Sequence, residues 1–425
     1  MPSSAQILQN ISRVEKHLEI YCKYLTKPQY QHFKNILLGF LSGRGKSVLE
    51  MSRFLGSQSY RLYYFFNDMN CNDKLLLQKS VQQLNNKTCL RSTQESFLIL
   101  DFTSTAKTGR HFEWADWLWN EETNETDIFG HETLIALEYD PAKNYRKALG
   151  LRRFYHEEKL FGSEYTKDDF EKKPSVVNNL LKEVRPLTRA AEVLVDGEFI
   201  SCFLVDKFEK NKLNWTGRIK KTILAVYKRE KEMNLEDLTN KLIQEREIVF
   251  EEETYRNQKI MAVEIEVKIP SLNNRKVKIA VCKNEKGKFA FIASNVVSRS
   301  AKEIVKVYGF RWEIEVFFKD IKQNLHFSDY LLRSTGANVR WQYMVLIAAN
   351  IIELMKKILV AKYIPKFPWF KKTIKHLFQK TKLTIGLIVR LIFDLKNGGR
   401  EFIAALKCIG ELQHAKNYLY GRINL

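Results

Sequence analysis

The chain has 425 residues, 45% of them hydrophobic, and it carries 70 Lys and Arg residues against 49 Asp and Glu residues, a formal net charge of +21. This hydrophobic content excludes an intrinsically disordered chain, and the length is compatible with about two to four structural units. The charge is far from the balance of an ordinary cytosolic enzyme and indicates a polyanionic partner. From Arg340 onward there are 16 basic and 4 acidic residues, although a solvated helical surface also explains that segment.

Several classes of protein are disfavoured by the remaining composition. The six cysteines are dispersed and form neither a C-x-x-C pair nor a zinc pattern with histidine, so we expect reduced, buried cysteines. The first twenty residues lack the apolar run of a signal peptide. The most apolar stretch, YMVLIAANIIELMKKILVA, is interrupted by Glu353, Lys356 and Lys357, which predicts a buried helix rather than a membrane span. We therefore expect a cytoplasmic protein.

The first part of the chain, residues 1–92, has apolar positions at helical spacing and predicts a helical domain. The sequence SVLE at 47–50 fits a capping box that begins a helix, and Gly56 fits its C-terminal stop. A second helix over residues 57–68 makes the pair resemble a helix-turn-helix. Three side chains are predicted to face DNA: Arg53, Tyr60 and Arg61. An ordinary helical bundle contains the same pattern, and that alternative stays open.

From Phe97 the pattern changes to short apolar runs that are typical of buried strands. In FLILDFT the apolar run ends at Asp101, and in AEVLVDGEF it ends at Asp196. GHETLIALEYD and RKALGLRRFYHEE predict two strands between them, and Pro174 begins a helix with one apolar face. This order of elements indicates an α/β sheet core with acidic residues at strand ends.

A second β-rich segment interrupts this core. Between about 223 and 297 the sequence alternates and becomes charged, and KIMAVEIEVKI, RKVKIAVCK and GKFAFIAS predict strands joined by turns. The predicted organisation is a helical DNA-binding domain, the first part of the core, the β-rich insertion, the second part of the core and a basic helical C-terminal region, at residues 1–92, 93–222, 223–297, 298–345 and 346–425.

The most informative motif lies in the stretch YGFRWEIEVFFKDIK. Its residues Tyr308, Arg311, Glu315 and Lys322 have two, three and six residues between them. On one continuous helix, at about 100° per residue, all four fall within an arc of about 60°. The apolar residues fall on the opposite side, so one face packs against a core while the other presents a carboxylate beside a phenol, a guanidinium and an ammonium. This combination suits phosphate chemistry.

Three acidic residues are the candidates for catalysis: Asp101, Asp196 and Glu315. Each is placed where a buried element meets an open edge, and carboxylate oxygens are ligands that Mg²⁺ and Mn²⁺ prefer. Two such ions activate a water or a DNA 3′-hydroxyl for in-line displacement. Each acid also has a structural explanation, because an Asp after a strand commonly forms a turn or a helix cap and an exposed helical Glu is ordinary.

These residues resemble the signature of bacterial DDE transposases of insertion-sequence family four. That signature is a Tyr, Arg, Glu and Lys set with the same two, three and six intervening residues. The family's first acid has a D-x-T context, matched by Asp101 and Thr103, and the sequence DGEF from Asp196 matches the context of its second acid. A long β-rich insertion before the Glu is also a family feature. The resemblance spans about residues 95–345.

The resemblance implies an α/β fold: an RNase H-like mixed-sheet catalytic core, interrupted by the β-rich insertion and flanked by helical N- and C-terminal domains. It implies a metal-binding triad of Asp101, Asp196 and Glu315 that uses Mg²⁺, for which Mn²⁺ can substitute. Three residues would hold DNA phosphates: Tyr308, Arg311 and Lys322. The implied activity is cut-and-paste transposition.

The resemblance also implies the partners of the chain. These are double-stranded DNA, as terminal inverted repeats and as target, and a second copy of the chain, with no membrane and no small-molecule substrate. We expect association with the nucleoid when the protein is bound to DNA.

Several aromatic residues near the predicted site are candidates for base stacking or for packing. Family members stack a flipped base on an aromatic residue, commonly Trp in a strand of the insertion, when they form hairpin ends. The corresponding strand here offers Phe289 or Phe291, which leaves the hairpin step open. Trp215 is a further stacking candidate, with core packing as the alternative. Trp114, Trp117 and Trp119 are interpreted as anchors of an ordered acidic loop, with a second metal or stacking site as the alternative.

Two other functions remain open at this point. One is a transposase-derived repressor or architectural protein that binds DNA without cleaving it. The other is a stand-alone RNase H-like nuclease that cuts without joining. The complete set of three acids argues against the first, and the long flanking helical regions argue against the second.

Overall fold

The computed structural model describes residues 15–42, 45–109, 111–120, 123–156, 170–228, 230–255, 258–284 and 287–363. The chain divides into two compact units, Met1–Ser80 with Lys319–Leu425, and Val81–Phe318. Most of the predicted C-terminal region lies outside the described residues. The described α-helices are α1 (Lys27–Leu41), α2 (Val48–Leu55), α3 (Ser59–Asn67), α4 (Asp73–Asn85), α5 (Lys173–Val184), α6 (Cys202–Lys210), α7 (Leu235–Gln244), α8 (Ala301–Gly309), α9 (Trp312–Asn324) and α10 (Thr335–Tyr363).

The described strands all lie in the second unit. They are β1 (Phe97–Ala106), β2 (Asp116–Asn120), β3 (Glu125–Asp140), β4 (Tyr145–Phe154), β5 (Glu192–Val195), β6 (Asn214–Ile219), β7 (Leu224–Ala225), β8 (Met233–Asn234), β9 (Glu251–Tyr255), β10 (Gln258–Ile269), β11 (Arg275–Lys283) and β12 (Phe289–Ser294).

The helix pair predicted before residue 68 is present in the first unit as α2 and α3. Ser47 caps α2, because its hydroxyl oxygen accepts a hydrogen bond from the Glu50 amide at 3.1 Å. Gly56 ends the helix with a φ of 60°, a left-handed conformation that glycine adopts without steric penalty. The prediction of a capped helix, a glycine turn and a second helix is therefore confirmed.

Helix α10 is tied to the N-terminal helices of the same unit. The Arg340 guanidinium bonds the carboxylate of Asp73 at 3.0 Å and the carbonyl oxygen of Phe65 at 2.7 Å. The next residue, Trp341, is fully buried, and its ring packs edge-on against Phe40 with 4.8 Å between centroids. Buried aromatic contacts and a paired arginine thus hold this unit together.

Two sequence predictions about composition can be compared with these elements. The apolar stretch before residue 361 is part of α10, and no helix in the described part of the chain is both long enough and apolar enough to cross a bilayer. The described cysteines are free thiols. Cys282 is buried, but Cys22 and Cys89 are exposed, so the prediction of buried cysteines is wrong for these two.

The second unit is built on one mixed sheet. Its strand order is β2-β3-β1-β5-β6-β12-β11-β10-β9, and β4 also pairs with β3. Strand β1 is parallel to β5, and β5 is parallel to β6, whereas β3 is antiparallel to both β1 and β4. The partial order β4-β3-β1-β5-β6 is consistent with the RNase H-like core that the sequence resemblance implies. The apolar face of α5 packs in the same buried cluster as Leu98 and Leu100 of β1.

The three strands predicted between residues 258 and 295 are present and extend this sheet. Strands β12, β11, β10 and β9 follow β6 as an antiparallel series. Their alternating sequence places Val277, Ile279 and Val281 in the buried cluster. Lys276 and Lys278 alternate with these residues and lie on the other face, where Lys276 pairs with Glu266 at 2.7 Å. The prediction of these strands is therefore confirmed.

The predicted continuous helix over the Tyr308–Lys322 stretch is wrong. Helix α8 ends at Gly309 and α9 begins at Trp312, with a tight turn between them. The ring of Phe310 lies 5.3 Å from that of Phe97 and 5.7 Å from that of Tyr139. Packing Phe310 against these two rings interrupts the helix, because tertiary contacts outweigh local helix propensity.

Candidate active site

Two of the predicted acids are brought together by the parallel pairing of β1 and β5. Ile99 of β1 is opposite Leu194 of β5, and Asp101 and Asp196 each follow two residues later. Their carboxyl groups are therefore presented at the carboxyl edge of the β1–β5 pair. Asp196 follows the end of β5, as predicted, whereas Asp101 lies within β1, which continues to Ala106 beside β3, so the prediction of a strand end is wrong for Asp101. In each case one carboxylate oxygen accepts the next backbone amide, at 3.0 Å for Asp101 and 2.7 Å for Asp196. These bonds fix the carboxylates relative to the strands.

The third acid reaches the same edge from helix α9. Glu315 accepts a hydrogen bond from Nη2 of Arg311 at 2.5 Å, and Nη1 of the same guanidinium donates to Oδ2 of Asp101 at 3.0 Å. Arg311 therefore bridges a strand carboxylate and a helix carboxylate. Its side chain is 12% exposed, against 16% for Asp101 and 29% for Glu315. The bridge is thus largely screened from solvent.

The first turn of α9 is fixed by a buried ion pair on its other side. Arg146 of β4 donates to Oε2 of Glu313 from Nε at 2.8 Å and from Nη2 at 2.6 Å. Ile314 and Phe317 of the same helix are buried, with 0% and 2% exposure. The helix is therefore held to the unit through Glu313 and its apolar face, which leaves Glu315 directed to the sheet edge.

Burial and neighbouring charges shift the pKa values of Asp101 and Arg311. Burial raises the pKa of Asp101 to about 7; Arg311 opposes the rise, whereas the nearby carboxylates of Asp196, Glu198 and Glu315 add to it. Burial alone would lower the pKa of Arg311, but Tyr308 and the carboxylates outweigh burial and raise it. Excess negative charge is therefore concentrated around one guanidinium.

The carboxylates at this edge are suitable ligands for a divalent ion, but in the present arrangement they lie too far apart to share one. All three acids line one cavity of about 1030 Å³, and carboxylate oxygens with space for water suit Mg²⁺. In the described part of the chain, however, no three His, Cys, Asp or Glu side chains stand close enough together to hold an ion. Arg311 lies between Asp101 and Glu315 and keeps their carboxylates apart. Bringing them onto one ion requires the guanidinium to move.

The cavity contains a second charged group that the sequence did not reveal. Lys173 lies 2.9 Å from Glu132 and 3.7 Å from Glu198, and its ammonium lies 4.6 Å from the ring centroid of Phe102. Burial raises the pKa of Glu198, although Lys173 opposes the rise. These residues are distant in sequence and share no motif. The proline after Lys173 signalled only a helix start.

The other residues of the predicted signature have different environments. Tyr308 is 9% exposed and belongs to a buried cluster with Ile292 and Ile304, and its ring lies under Arg311 with 5.8 Å between centroid and Cζ. Lys322 lies seven residues after Glu315 on α9, which is two helical turns. Burial lowers the pKa of Lys322, so its ammonium is partly desolvated. It belongs to the first unit rather than to the unit that forms the cavity.

The predicted stacking residues differ in accessibility. Trp215 is 0% exposed, and its indole nitrogen is 3.4 Å from Glu209, so core packing, the alternative explanation, describes it. Phe291 is 1% exposed. Phe289 is only partly buried and lines the cavity, stacked on Phe250 with 6.2 Å between centroids. Of the three residues, Phe289 is the most accessible from the cavity.

The tryptophans of the acidic stretch do not all anchor a loop. Trp114 packs edge-on against Tyr155 with 4.8 Å between centroids, as expected for an anchor. Trp117 and Trp119 lie two residues apart on β2 and are 55% and 57% exposed. The anchor interpretation is therefore wrong for these two. Trp119 lines the same cavity as the three acids.

Comparison with known proteins adds one finding to this geometry. Residues 172–351 match the family model of the transposase DDE domain. The matched segment contains Asp196, Glu315 and the Tyr308–Lys322 stretch, and Asp101 lies before it. No curated protein sequence matches the chain. The match supports a DDE transposase, an enzyme that acts on DNA with the help of divalent metal ions.

Proposed function

We propose that this protein is a cut-and-paste transposase of the insertion-sequence family four type. It cleaves DNA at the ends of its own element and transfers those ends to a target. The observation that carries this proposal is the convergence of Asp101, Asp196 and Glu315 on one cavity, from β1, the end of β5 and α9. The family match over residues 172–351 supports the same chemistry.

The three acids are the metal ligands in this proposal. Mg²⁺ is the natural ion and Mn²⁺ can substitute, because both prefer carboxylate oxygens and retain waters. When bound here, the ions supply activation of a water or 3′-hydroxyl and stabilisation of the leaving oxygen. The chain itself positions the reacting strand. Arg311 offers two parallel donors to a phosphate, Lys322 offers a point charge, and Tyr308 supports the guanidinium from below.

Helices α2 and α3 are proposed to bind and recognise the inverted repeats. Arg53, Tyr60 and Arg61 are exposed, with Tyr60 at 63%. Arg61 donates from Nε to the Tyr60 hydroxyl at 3.2 Å, so the pair presents a cation beside an aromatic ring. Such a pair contacts phosphates and bases. The buried residues of α3 leave this exposed face available.

The finer organisation is also part of the proposal. Residues 223–297 form the β-rich insertion, residues 93–222 and 298–345 form the catalytic core, and helical domains flank it. Phe289 stacks on a flipped base if the ends pass through a hairpin. Two ends must be cut in concert, so the active form is a homodimer on DNA. The protein acts in the cytoplasm and associates with the nucleoid through its DNA.

A joining assay separates this proposal from its two alternatives. The protein is incubated with Mn²⁺, a labelled duplex carrying the terminal repeats that flank the coding sequence, and a supercoiled plasmid target. We expect labelled ends to become covalently joined to the plasmid. Cutting without joining would favour a stand-alone nuclease. Binding without cutting would favour a transposase-derived repressor.

A further inference from the structure

The Arg311 bridge occupies the place of a cation between two proposed metal ligands. The guanidinium bonds Oδ2 of Asp101 and an Oε atom of Glu315, so it uses oxygens that an ion would need. Asp196 adds further negative charge near the guanidinium. The singly charged guanidinium therefore lies where a divalent metal ion is expected. Both cations cannot occupy this position at the same time.

The bridge leaves part of Arg311 unsatisfied. Its Nε atom is buried and has no hydrogen-bond partner among the described residues. A buried donor without a partner is destabilising, because it has lost its hydrogen bonds to water. The guanidinium carbon lies over the ring of Tyr308, 5.8 Å from its centroid. In this arrangement both carboxylates accept a hydrogen bond from the guanidinium, whereas one donor of the guanidinium has no acceptor among the described residues.

A DNA phosphate in the cavity would offer Arg311 a better set of partners. A phosphodiester presents two anionic oxygens that match the parallel donors of a guanidinium. If Arg311 turns to such a phosphate, Asp101 and Glu315 lose their shared counter-charge and bind a divalent ion more strongly. An ion that displaces Arg311 would, in the same way, release the guanidinium for phosphate.

We propose that Arg311 is an internal counter-ion that closes the metal site in DNA-free protein, so that DNA and the divalent ion bind cooperatively. This proposal rests on the proposed transposase function. Linkage makes the effect reciprocal, because DNA must increase the affinity for metal by the same factor as metal increases the affinity for DNA. The consequence for function is that the metal site is completed only on DNA.

The test is a Mn²⁺ titration of the full-length protein, followed by electron paramagnetic resonance of free Mn²⁺, with and without the terminal-repeat duplex. Wild-type protein should bind Mn²⁺ at least about tenfold more tightly with DNA, within the usual range of such couplings. In the absence of DNA, Arg311→Gln should bind Mn²⁺ at least about tenfold more tightly than wild type does. Addition of DNA should then increase the Mn²⁺ affinity of this variant only slightly.

A matched control excludes a general charge effect. Arg218 also lines the cavity and is exposed, so Arg218→Gln removes the same charge without removing the bridge. It should change Mn²⁺ affinity far less than Arg311→Gln does. Equal tightening in both variants would overturn the counter-ion proposal, and so would unchanged or weaker Mn²⁺ binding by Arg311→Gln in the absence of DNA.

The same experiment distinguishes this proposal from the function on which it rests. Asp196→Asn removes a proposed ligand and should weaken Mn²⁺ binding with and without DNA. If wild type and Arg311→Gln both bind no Mn²⁺ under either condition, the proposed metal site and the counter-ion proposal both fail. If wild type binds Mn²⁺ equally well with and without DNA, only the counter-ion proposal fails. Circular dichroism of each variant confirms that it is folded.

Discussion

Removal of the Glu313 carboxylate should destabilise the unit that contains the candidate site. In Glu313→Gln the Arg146 guanidinium, whose side chain is 7% exposed, loses a charged partner that accepts two hydrogen bonds, at 2.8 and 2.6 Å. Loss of one member of a buried ion pair typically reduces the free energy of unfolding by about 3–5 kcal/mol. Because the amide of Gln still accepts one bond, we expect the lower end of that range, about 3 kcal/mol.

Urea unfolding followed by tryptophan fluorescence measures this change. The matched control is Glu266→Gln, which breaks a pair with Lys276 whose side chains are 38% and 57% exposed and should lower the free energy of unfolding by less than about 1 kcal/mol. A Glu313→Gln variant that lost no more stability than the control would refute the claim that this pair anchors α9. The double variant Arg146→Met with Glu313→Leu should recover much of the loss, because no unpaired charge remains.

Three further predictions follow from the same residues. Asp196→Ala should still shift terminal-repeat DNA in a gel but lose cleavage, and normal cleavage would show that the triad is wrong. Lys322→Ala should weaken DNA binding. It should also make the negative slope of log affinity against log salt shallower by about 1, because one phosphate contact is lost; an unchanged slope in a salt titration would contradict that role. Burial lowers the pKa of His131 to about 3, so this histidine is neutral in the folded protein and becomes protonated first in the unfolded chain. The contribution of His131 to the free energy of unfolding should therefore fall by roughly 2–3 kcal/mol between about pH 6.5 and 4.5. Because the raised pKa of Asp101 acts in the opposite direction, the measurement is the difference between wild type and His131→Gln in urea titrations, and a difference that does not change with pH would contradict a buried neutral His131.

Much of the local structure could be predicted because it depends on neighbours in sequence. The apolar runs before Asp101 and Asp196 predict buried strands, and these are β1 and β5. Ser47 and Gly56 predict the two ends of α2, since capping uses only residues within one turn. The alternating pattern after residue 258 predicts β10, β11 and β12 for the same reason.

The remaining features depend on contacts between distant residues. The break between α8 and α9 arises because Phe310 packs against Phe97 and Tyr139, which lie far away in sequence. The Arg311 bridge to Asp101 spans 210 positions, so helical spacing alone suggested only its neighbour Glu315. No local pattern could assign either feature.

Exposure was equally hard to predict for aromatic residues. Trp215 has a polar residue on each side in sequence and Trp119 follows Leu118, yet Trp215 is 0% exposed and Trp119 is 57% exposed. Trp215 lies on β6, which pairs with β5 on one side and β12 on the other. Trp119 lies on β2 at the end of the strand order. The position of a strand in the sheet decides such burial, and one sequence does not fix that position.

The most direct test of the central claim is metal-dependent cleavage at the ends of the element. A labelled duplex carrying the terminal repeats is incubated with wild type or Glu315→Gln, in Mg²⁺, Mn²⁺ or EDTA. We predict cuts at the repeat ends by wild type with either metal, none in EDTA, and none by Glu315→Gln although it still binds the duplex. Cleavage by Glu315→Gln at the wild-type rate, or wild-type cleavage that persists in EDTA, would contradict a metal-dependent site built on Asp101, Asp196 and Glu315.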